Sequence, residues 1–146
     1  MQNTWFLITK YLHFISIFGM IACLASELIL VKSTMTRSAL KSVGRIDGLY
    51  GLAAILAVGA GLTLWFGVGK GFEFYNHGVM HLKLTLVIIV GLISIVPTVF
   101  FIRNGKGDPH VNITVPSKIR KLIIIQLCLL ACIPFMGTMV AYGIKF

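Results

Sequence analysis

The sequence predicts an all-α integral membrane protein, folded as a four-helix up-down-up-down bundle with both termini outside. Hydrophobic residues make up 58% of the 146 residues, charged residues only 12%, and the mean hydropathy is +0.95. A soluble domain of this size could not cover so much apolar surface. The apolar residues are concentrated in four stretches of about 20 residues or more, and each could cross about 30 Å of hydrocarbon.

The four stretches are the predicted spans of a single domain that covers residues 1–146. They run approximately over 5–31, 48–68, 79–102 and 122–144. Continuous apolar runs favour helices, because a helix satisfies its own backbone hydrogen bonds in lipid. The first stretch has no basic segment before it and no cleavage motif after it, so we expect it to remain in the mature protein.

The basic residues predict the orientation of the helices. Nine of the thirteen lie in the first and third connections, whereas the second connection, 69–78, carries only Lys70. The positive-inside rule places the first and third connections in the cytoplasm of a multi-pass protein of the bacterial inner membrane. Attraction to anionic lipid accounts for the net charge, so the expected partner is the lipid bilayer and not nucleic acid. The nine residues are Lys32, Arg37, Lys41, Arg45, Arg103, Lys106, Lys118, Arg120 and Lys121.

Small residues in the second span predict close helix packing. Ala53, Ala57 and Gly61 recur at four-residue spacing and share one helix face. Small side chains let helices approach closely in lipid. Pro97 and Pro134 are expected to bend the third and fourth spans.

Two histidines inside the spans are the main candidates for chemistry, because ionisable groups are rare in lipid. His13 and His81 lie in the first and third spans, at similar predicted depth in the outer half of the bilayer. These spans are diagonal in an up-down bundle. Two facing imidazoles can hold a haem iron or another transition metal, so both residues are predicted metal ligands. The alternative is that each histidine only hydrogen-bonds a neighbouring helix.

Two lysines lie near these histidines and are candidate contacts of an anionic cofactor group. Lys83 is two residues after His81, so the two side chains cannot share a helix face. Lys83 could pair with a propionate or a lipid phosphate, or extend to the membrane interface. Lys10, one turn before His13, could contact the same anion, although anchoring at the interface is the favoured interpretation.

Two carboxylates are candidates for proton exchange. Asp47 lies at the predicted start of the second span, where the favoured interpretation is a helix cap. Glu27 lies about one turn before the predicted end of the first span, where no cap is needed. It is expected either to pair with Lys32 or Arg45 or to exchange protons.

The remaining metal-binding residue types leave one alternative open. The three cysteines, Cys23, Cys128 and Cys132, all lie in predicted spans and are expected to be small packing residues. Together with methionines such as Met80 they could bind Cu(I). His77 is one turn before His81 and is a further candidate for the outer site.

Short motifs add a resemblance to known families. The chain resembles the HemJ-type membrane protoporphyrinogen IX oxidases in two segments, Tyr11-Leu12-His13-Phe14 and Met80-His81-Leu82-Lys83-Leu84. The wider group to which these oxidases belong looks like the copper-resistance D-like proteins. The chain also resembles an uncharacterised four-helix bacterial family of that group, in the segments Glu27-Leu28, 47–51 and 94–98. The resemblance implies b-type haem at His13 and His81, with Lys83 beside it. The oxidases carry a tryptophan and an arginine-containing stretch after the first histidine, and residues 19–27 of this chain lack both. The resemblance therefore implies haem binding more strongly than it implies porphyrinogen oxidation.

The sequence therefore predicts an inner-membrane protein that binds haem b and acts in electron transfer or quinone-linked oxidation. Its expected partners are quinone or a redox protein, and both a monomer and a homo-oligomer are open. A haem-dependent oxidoreductase and a non-enzymatic carrier of electrons are both open as well. The alternative function is a small transporter or copper-handling protein without haem, in which Glu27 is a proton site.

Overall fold

Four long helices make up most of the computed structural model, which describes residues 2–145. Met1 and Phe146, the ends of the predicted range 1–146, lie outside the described residues. All four helices are long and apolar enough to cross a membrane, which confirms the predicted all-α membrane bundle. They are α1 (Gln2–Leu30), α2 (Arg37–Thr63), α4 (Gly78–Asn104) and α5 (Ser117–Ala141), and the short helix α3 (Phe72–Tyr75) precedes α4.

The four long helices form a closed ring of neighbours. Helix α1 packs on α2, α2 on α4, α4 on α5, and α5 on α1. Helices α1 and α4 are therefore diagonal, as expected for an up-down bundle. Large apolar side chains remain exposed along all four helices, and in a membrane these side chains contact lipid.

Helix α2 begins at Arg37, eleven residues before the predicted start near Gly48. Leu40 and Val43 are buried at helical spacing, so the first turns pack on the core although they carry basic residues on the other face. The Thr36 hydroxyl caps the helix by accepting the Ala39 N–H over 3.2 Å. The predicted capping role of Asp47 is thus wrong, because Asp47 lies about 15 Å into the helix.

Two short strands join the first and third connections at one end of the bundle, called the strand end below. Strand β1 (Thr34–Thr36) pairs antiparallel with β2 (Asn112–Thr114), so each of these two connections contains a strand. Arg37 adds a side-chain hydrogen bond to the Lys106 carbonyl. The two basic connections therefore share one end of the bundle.

Aromatic residues collect at the other end, called the aromatic end below. Helix α2 continues into a π-helical turn, Leu64–Val68, in which Trp65 stacks on Phe66 and on Phe72 with ring centroids 4.8 and 5.7 Å apart. Helix α5 ends here at Ala141, and Gly143, with a φ of +74°, allows the following turn to close with two hydrogen bonds back to the helix.

Candidate functional site

The small-residue face of α2 brings α2 close to α1 and so positions His13. A Cβ atom placed at Gly19 would lie 3.7 Å from Ala53 Cβ, and one at Gly61 would lie 3.1 Å from His13 Cε1. Between these levels, His13 Nδ1 donates to the Ala57 carbonyl over 2.7 Å. The predicted packing face therefore also forms one wall of the site.

The hydrogen bond to Ala57 determines how the His13 ring can react. A carbonyl oxygen only accepts, so Nδ1 carries the proton and Nε2 keeps a lone pair when the ring is neutral. Metal-bound histidines in proteins are commonly oriented in this way, with one ring nitrogen donating to a carbonyl and the other bound to the metal. His13 thus has the orientation of a ligand that uses Nε2.

Two cavities meet at His13. The first, called the long cavity, has a volume of about 340 Å³ and is lined mainly by α2 and α4. The second, called the lysine cleft, has a volume of about 330 Å³ and lies between α1 and α5 at the aromatic end. Both are largely apolar, as ligand sites usually are. The residues that line both cavities are His13, Ile17, Gly61, Trp65, Met80, Lys83 and Ile133.

Helical geometry directs Lys83 inward and His81 outward. Residues two positions apart point about 200° apart around a helix, as predicted for this pair. Lys83 is half-buried and lines both cavities. His81 is exposed, lines neither cavity, and donates from Nε2 to Asn76 Oδ1 over 3.1 Å. The structure therefore does not bring the imidazoles of His13 and His81 face to face.

The other candidates near the aromatic end occupy different places. Lys10 is exposed, lines only the lysine cleft, and holds its Nζ 5.7 Å from the centre of the Phe6 ring. His77 is buried, and neither ring nitrogen has a hydrogen-bond partner among residues 2–145. His77 lines neither cavity.

The strand end of the long cavity is acidic. Asp47 is 6% exposed and lines the cavity beside the Thr98 hydroxyl. Glu27 is 0% exposed, its two oxygens have no partner within the described chain, and it is close enough to Asp47 for electrostatic interaction. The predicted pairing of Glu27 with Lys32 or Arg45 is therefore wrong, which leaves proton exchange as its interpretation.

Sequence reasoning missed two buried polar residues at this end, because neither an amide nor a phenol side chain carries a charge at neutral pH. Gln126 of α5 is 1% exposed, and its Oε1 has no partner in the part of the chain that the structure describes. Tyr50 is buried one turn after Asp47 and interacts electrostatically with both carboxyl groups. An amide inside an apolar span was the signal for Gln126, and the three-residue spacing from Asp47 was the signal for Tyr50.

The cysteines do not contribute to either cavity. Cys23 is half-buried against the core, whereas Cys128 and Cys132 are exposed on α5. The expected packing role therefore fits Cys23, and the other two thiols lie on the lipid-facing surface. Across residues 2–145 no group of three or more His, Cys, Asp or Glu side chains is arranged to hold a metal ion.

Comparison with known proteins places this bundle in a family. A family model described as a predicted membrane protein, DUF2214, matches residues 5–145. The chain belongs to DUF2214. No curated protein and no solved structure matches it. The family and the four spans together make this DUF2214 chain a multi-pass membrane protein in contact with the lipid bilayer.

The contact between Gly61 and His13 gives a first prediction. Gly61→Ala is expected to push the His13 ring by a few tenths of an ångström and to lower the free energy of unfolding by about 1–3 kcal/mol, because it overpacks a close contact. Gly59→Ala is the matched control, since a Cβ atom there meets nothing within 4 Å. Thermal unfolding in detergent checks both variants. Equal stability of the two variants would contradict the tight fit at His13.

Proposed function

We propose that this DUF2214 protein binds a b-type haem in the long cavity, where His13 would hold the iron, and exchanges electrons with quinone or a redox protein. The observation that carries the proposal is the 2.7 Å hydrogen bond from His13 Nδ1 to the Ala57 carbonyl. It leaves Nε2 available as a ligand at the junction of two largely apolar cavities. Residues 11–14 resemble the motif around the first histidine of the HemJ-type oxidases, which would imply the same cofactor at His13.

The residues around His13 fit a haem with one change from the expected ligand pair. His81 is exposed and bonded to Asn76, whereas Met80 is buried and lines both cavities. A methionine thioether is a known partner of histidine on haem iron. We therefore assign Met80, rather than His81, as the second candidate ligand. Lys83, which lines the same junction, is the cation for a propionate.

Haem, when bound, supplies one-electron redox chemistry, and the protein determines its surroundings. The Ala57 carbonyl orients the His13 ring and keeps its Nδ1 proton in place. Apolar side chains of α2 and α4 exclude water from the long cavity. A low-dielectric pocket of this kind favours the uncharged His13 ring, which is the form that binds metal.

The carboxyl groups of Glu27 and Asp47 at the strand end are the proposed proton-exchanging groups. Lys83 and Thr98 line the same cavity fifteen residues apart on α4, which is about 22 Å along the helix. The Asp47 carboxyl group lies at the Thr98 level, and the buried Glu27 carboxyl group is close to it. We assign to Glu27 and Asp47 the exchange of protons with the strand end when the site changes its redox state.

An absorption spectrum tests the haem proposal directly. Protein purified in detergent from haem-replete cells is expected to show a Soret band and, after dithionite, the α and β bands of b-type haem. Colourless protein that takes up no haem on reconstitution would overturn the proposal.

The length of the long cavity favours a second candidate function, a small proton-coupled transporter. One cavity is lined by His13 and Lys83 toward the aromatic end and by Asp47 and Thr98 toward the strand end. Polar groups along a spanning cavity are typical of substrate and proton pathways. A copper-handling version would use His13 and Met80 rather than the exposed thiols. Metal analysis of colourless protein separates the copper version from transport of an organic solute.

The proposed orientation has both termini outside the cytoplasm of a bacterial cell, in the inner membrane. The basic residues at the strand end are the argument for it. A cysteine at Glu73 should react with an impermeant maleimide added to intact cells, and a cysteine at His110 should react only after lysis. Both positions are exposed, and the native cysteines are replaced by alanine in the background. The reverse labelling pattern would contradict the orientation.

A further inference from the structure

The lysine cleft gathers positive charge, and no acidic side chain among the described residues lines it. Three lysines line this cavity of about 330 Å³, one from each of three separate parts of the chain. Lys10 lies on α1, Lys70 in the connection after α2, and Lys83 on α4. None of the four acidic residues of the chain lines the cleft. The cleft is therefore electrostatically suited to an anion.

Within residues 2–145, the contacts of these lysines are with uncharged groups. Lys70 Nζ donates to the Ala141 carbonyl over 3.4 Å and lies 4.6 Å from the centre of the Phe74 ring. Lys83 Nζ lies 3.7 Å from where a Cβ atom at Gly137 would be, so the glycine leaves room for the ammonium group. A lysine ammonium group has three donors, and these contacts do not use all of them. Donors remain for an anion such as phosphate.

The walls of the same cleft are apolar and reach the lipid-facing surface. Phe14, Leu64, Ile133 and Val140 line it together with the lysines. Phe14 on α1 is 42% exposed and Tyr142 after α5 is 87% exposed, so the cleft opens between the two helices. An inorganic anion would gain nothing from apolar walls, whereas a lipid would bury an acyl chain along them.

We propose that the lysine cleft binds one anionic membrane lipid, with its phosphate among the three lysines and an acyl chain between α1 and α5. The site shares Lys83 with the haem proposal but not Lys10 and Lys70, which line the lysine cleft and not the long cavity.

Lipid binding measured by native mass spectrometry tests the proposal. The probe is dioleoylphosphatidylglycerol, compared with dioleoylphosphatidylcholine and with the headgroup analogues glycerol 3-phosphate and inorganic phosphate. The first phosphatidylglycerol molecule to bind each protein is expected to bind tightly. The double variant Lys10→Gln/Lys70→Gln should bind it roughly thirtyfold more weakly, because each lysine near an anionic headgroup contributes about fivefold.

Two controls separate the cleft from general charge effects. The double variant Lys32→Gln/Lys118→Gln removes two exposed lysines at the strand end. It should change the affinity for the first phosphatidylglycerol molecule by less than about twofold. Gly137→Leu keeps every lysine but fills the cleft beside Lys83, and should prevent binding. If Gly137→Leu fails to fold, the comparison of Lys10→Gln/Lys70→Gln with Lys32→Gln/Lys118→Gln still tests the proposal.

Several outcomes would overturn the proposal. Equal weakening by both lysine pairs would show that net charge, and not the cleft, attracts lipid. Equal affinity for phosphatidylcholine would remove the role of the headgroup charge. Competition by glycerol 3-phosphate or inorganic phosphate as effective as that by the lipid would identify a free-phosphate site instead.

Discussion

Replacing His13 by alanine is expected to abolish haem binding, with complete loss of the Soret band from the purified protein. His13 is the one histidine that lines the cavities of the described chain, and the Ala57 carbonyl holds its ring with Nε2 unprotonated. The apolar cavity walls offer no other imidazole to replace it. Haem content per protein, measured by the pyridine haemochrome spectrum, checks the result.

Two further variants distinguish the ligand pair His13 and Met80 from the pair His13 and His81. His81→Ala should leave the spectrum unchanged, because His81 is exposed and bonded to Asn76. Met80→Leu keeps the volume of the side chain but removes the sulfur, and should convert a six-coordinate low-spin spectrum into a high-spin one. Loss of haem in His81→Ala together with an unchanged Met80→Leu spectrum would restore the histidine pair that the sequence predicts.

Glu27 is expected to be an uncharged carboxylic acid in the folded protein. The side chain is fully buried in the bundle, neither oxygen has a partner within residues 2–145, and Asp47 lies near it. An ionised carboxylate there would lose its hydration without gaining a counter-ion. Infrared spectroscopy should therefore show the carbonyl stretch of a protonated acid, and Glu27→Gln should remove it. Under the haem proposal, this band should also change on reduction.

Unfolding measurements on Glu27 variants test the same expectation independently. Glu27→Gln should change the free energy of unfolding by less than about 1 kcal/mol, because the amide has the shape of the protonated acid. Glu27→Leu should stabilise the fold by about 1–3 kcal/mol, since it removes a buried polar group without a partner. Asp47→Asn is the matched control and should leave the Glu27 band in place. Strong destabilisation by leucine would mean that Glu27 is charged and paired.

Local sequence was sufficient to predict the membrane architecture. Long apolar runs have few solutions in lipid, because every backbone polar group must be satisfied within the segment. The length of the apolar runs predicted the four spans, and the up-down topology predicted the diagonal relation of α1 and α4. The prediction was wrong for Arg37–Gly48, where basic residues on one helix face suggested a connection. The buried Leu40 and Val43 on the other face extend α2 through it.

Sequence spacing identified His13, Lys83 and Glu27 as candidate residues, because an ionisable group in an apolar span is visible in the sequence itself. Spacing also separated Lys83 from His81, since the rotation per residue is a property of any helix. Which of these two side chains faces the interior was decided by tertiary structure, because it depends on how α4 is rotated against α2 and α5. That rotation exposes His81 and turns Met80 and Lys83 toward the cavities that His13 also lines. The hydrogen bond from His13 to Ala57 spans 44 residues of sequence, so only the packing of α1 on α2 could create it.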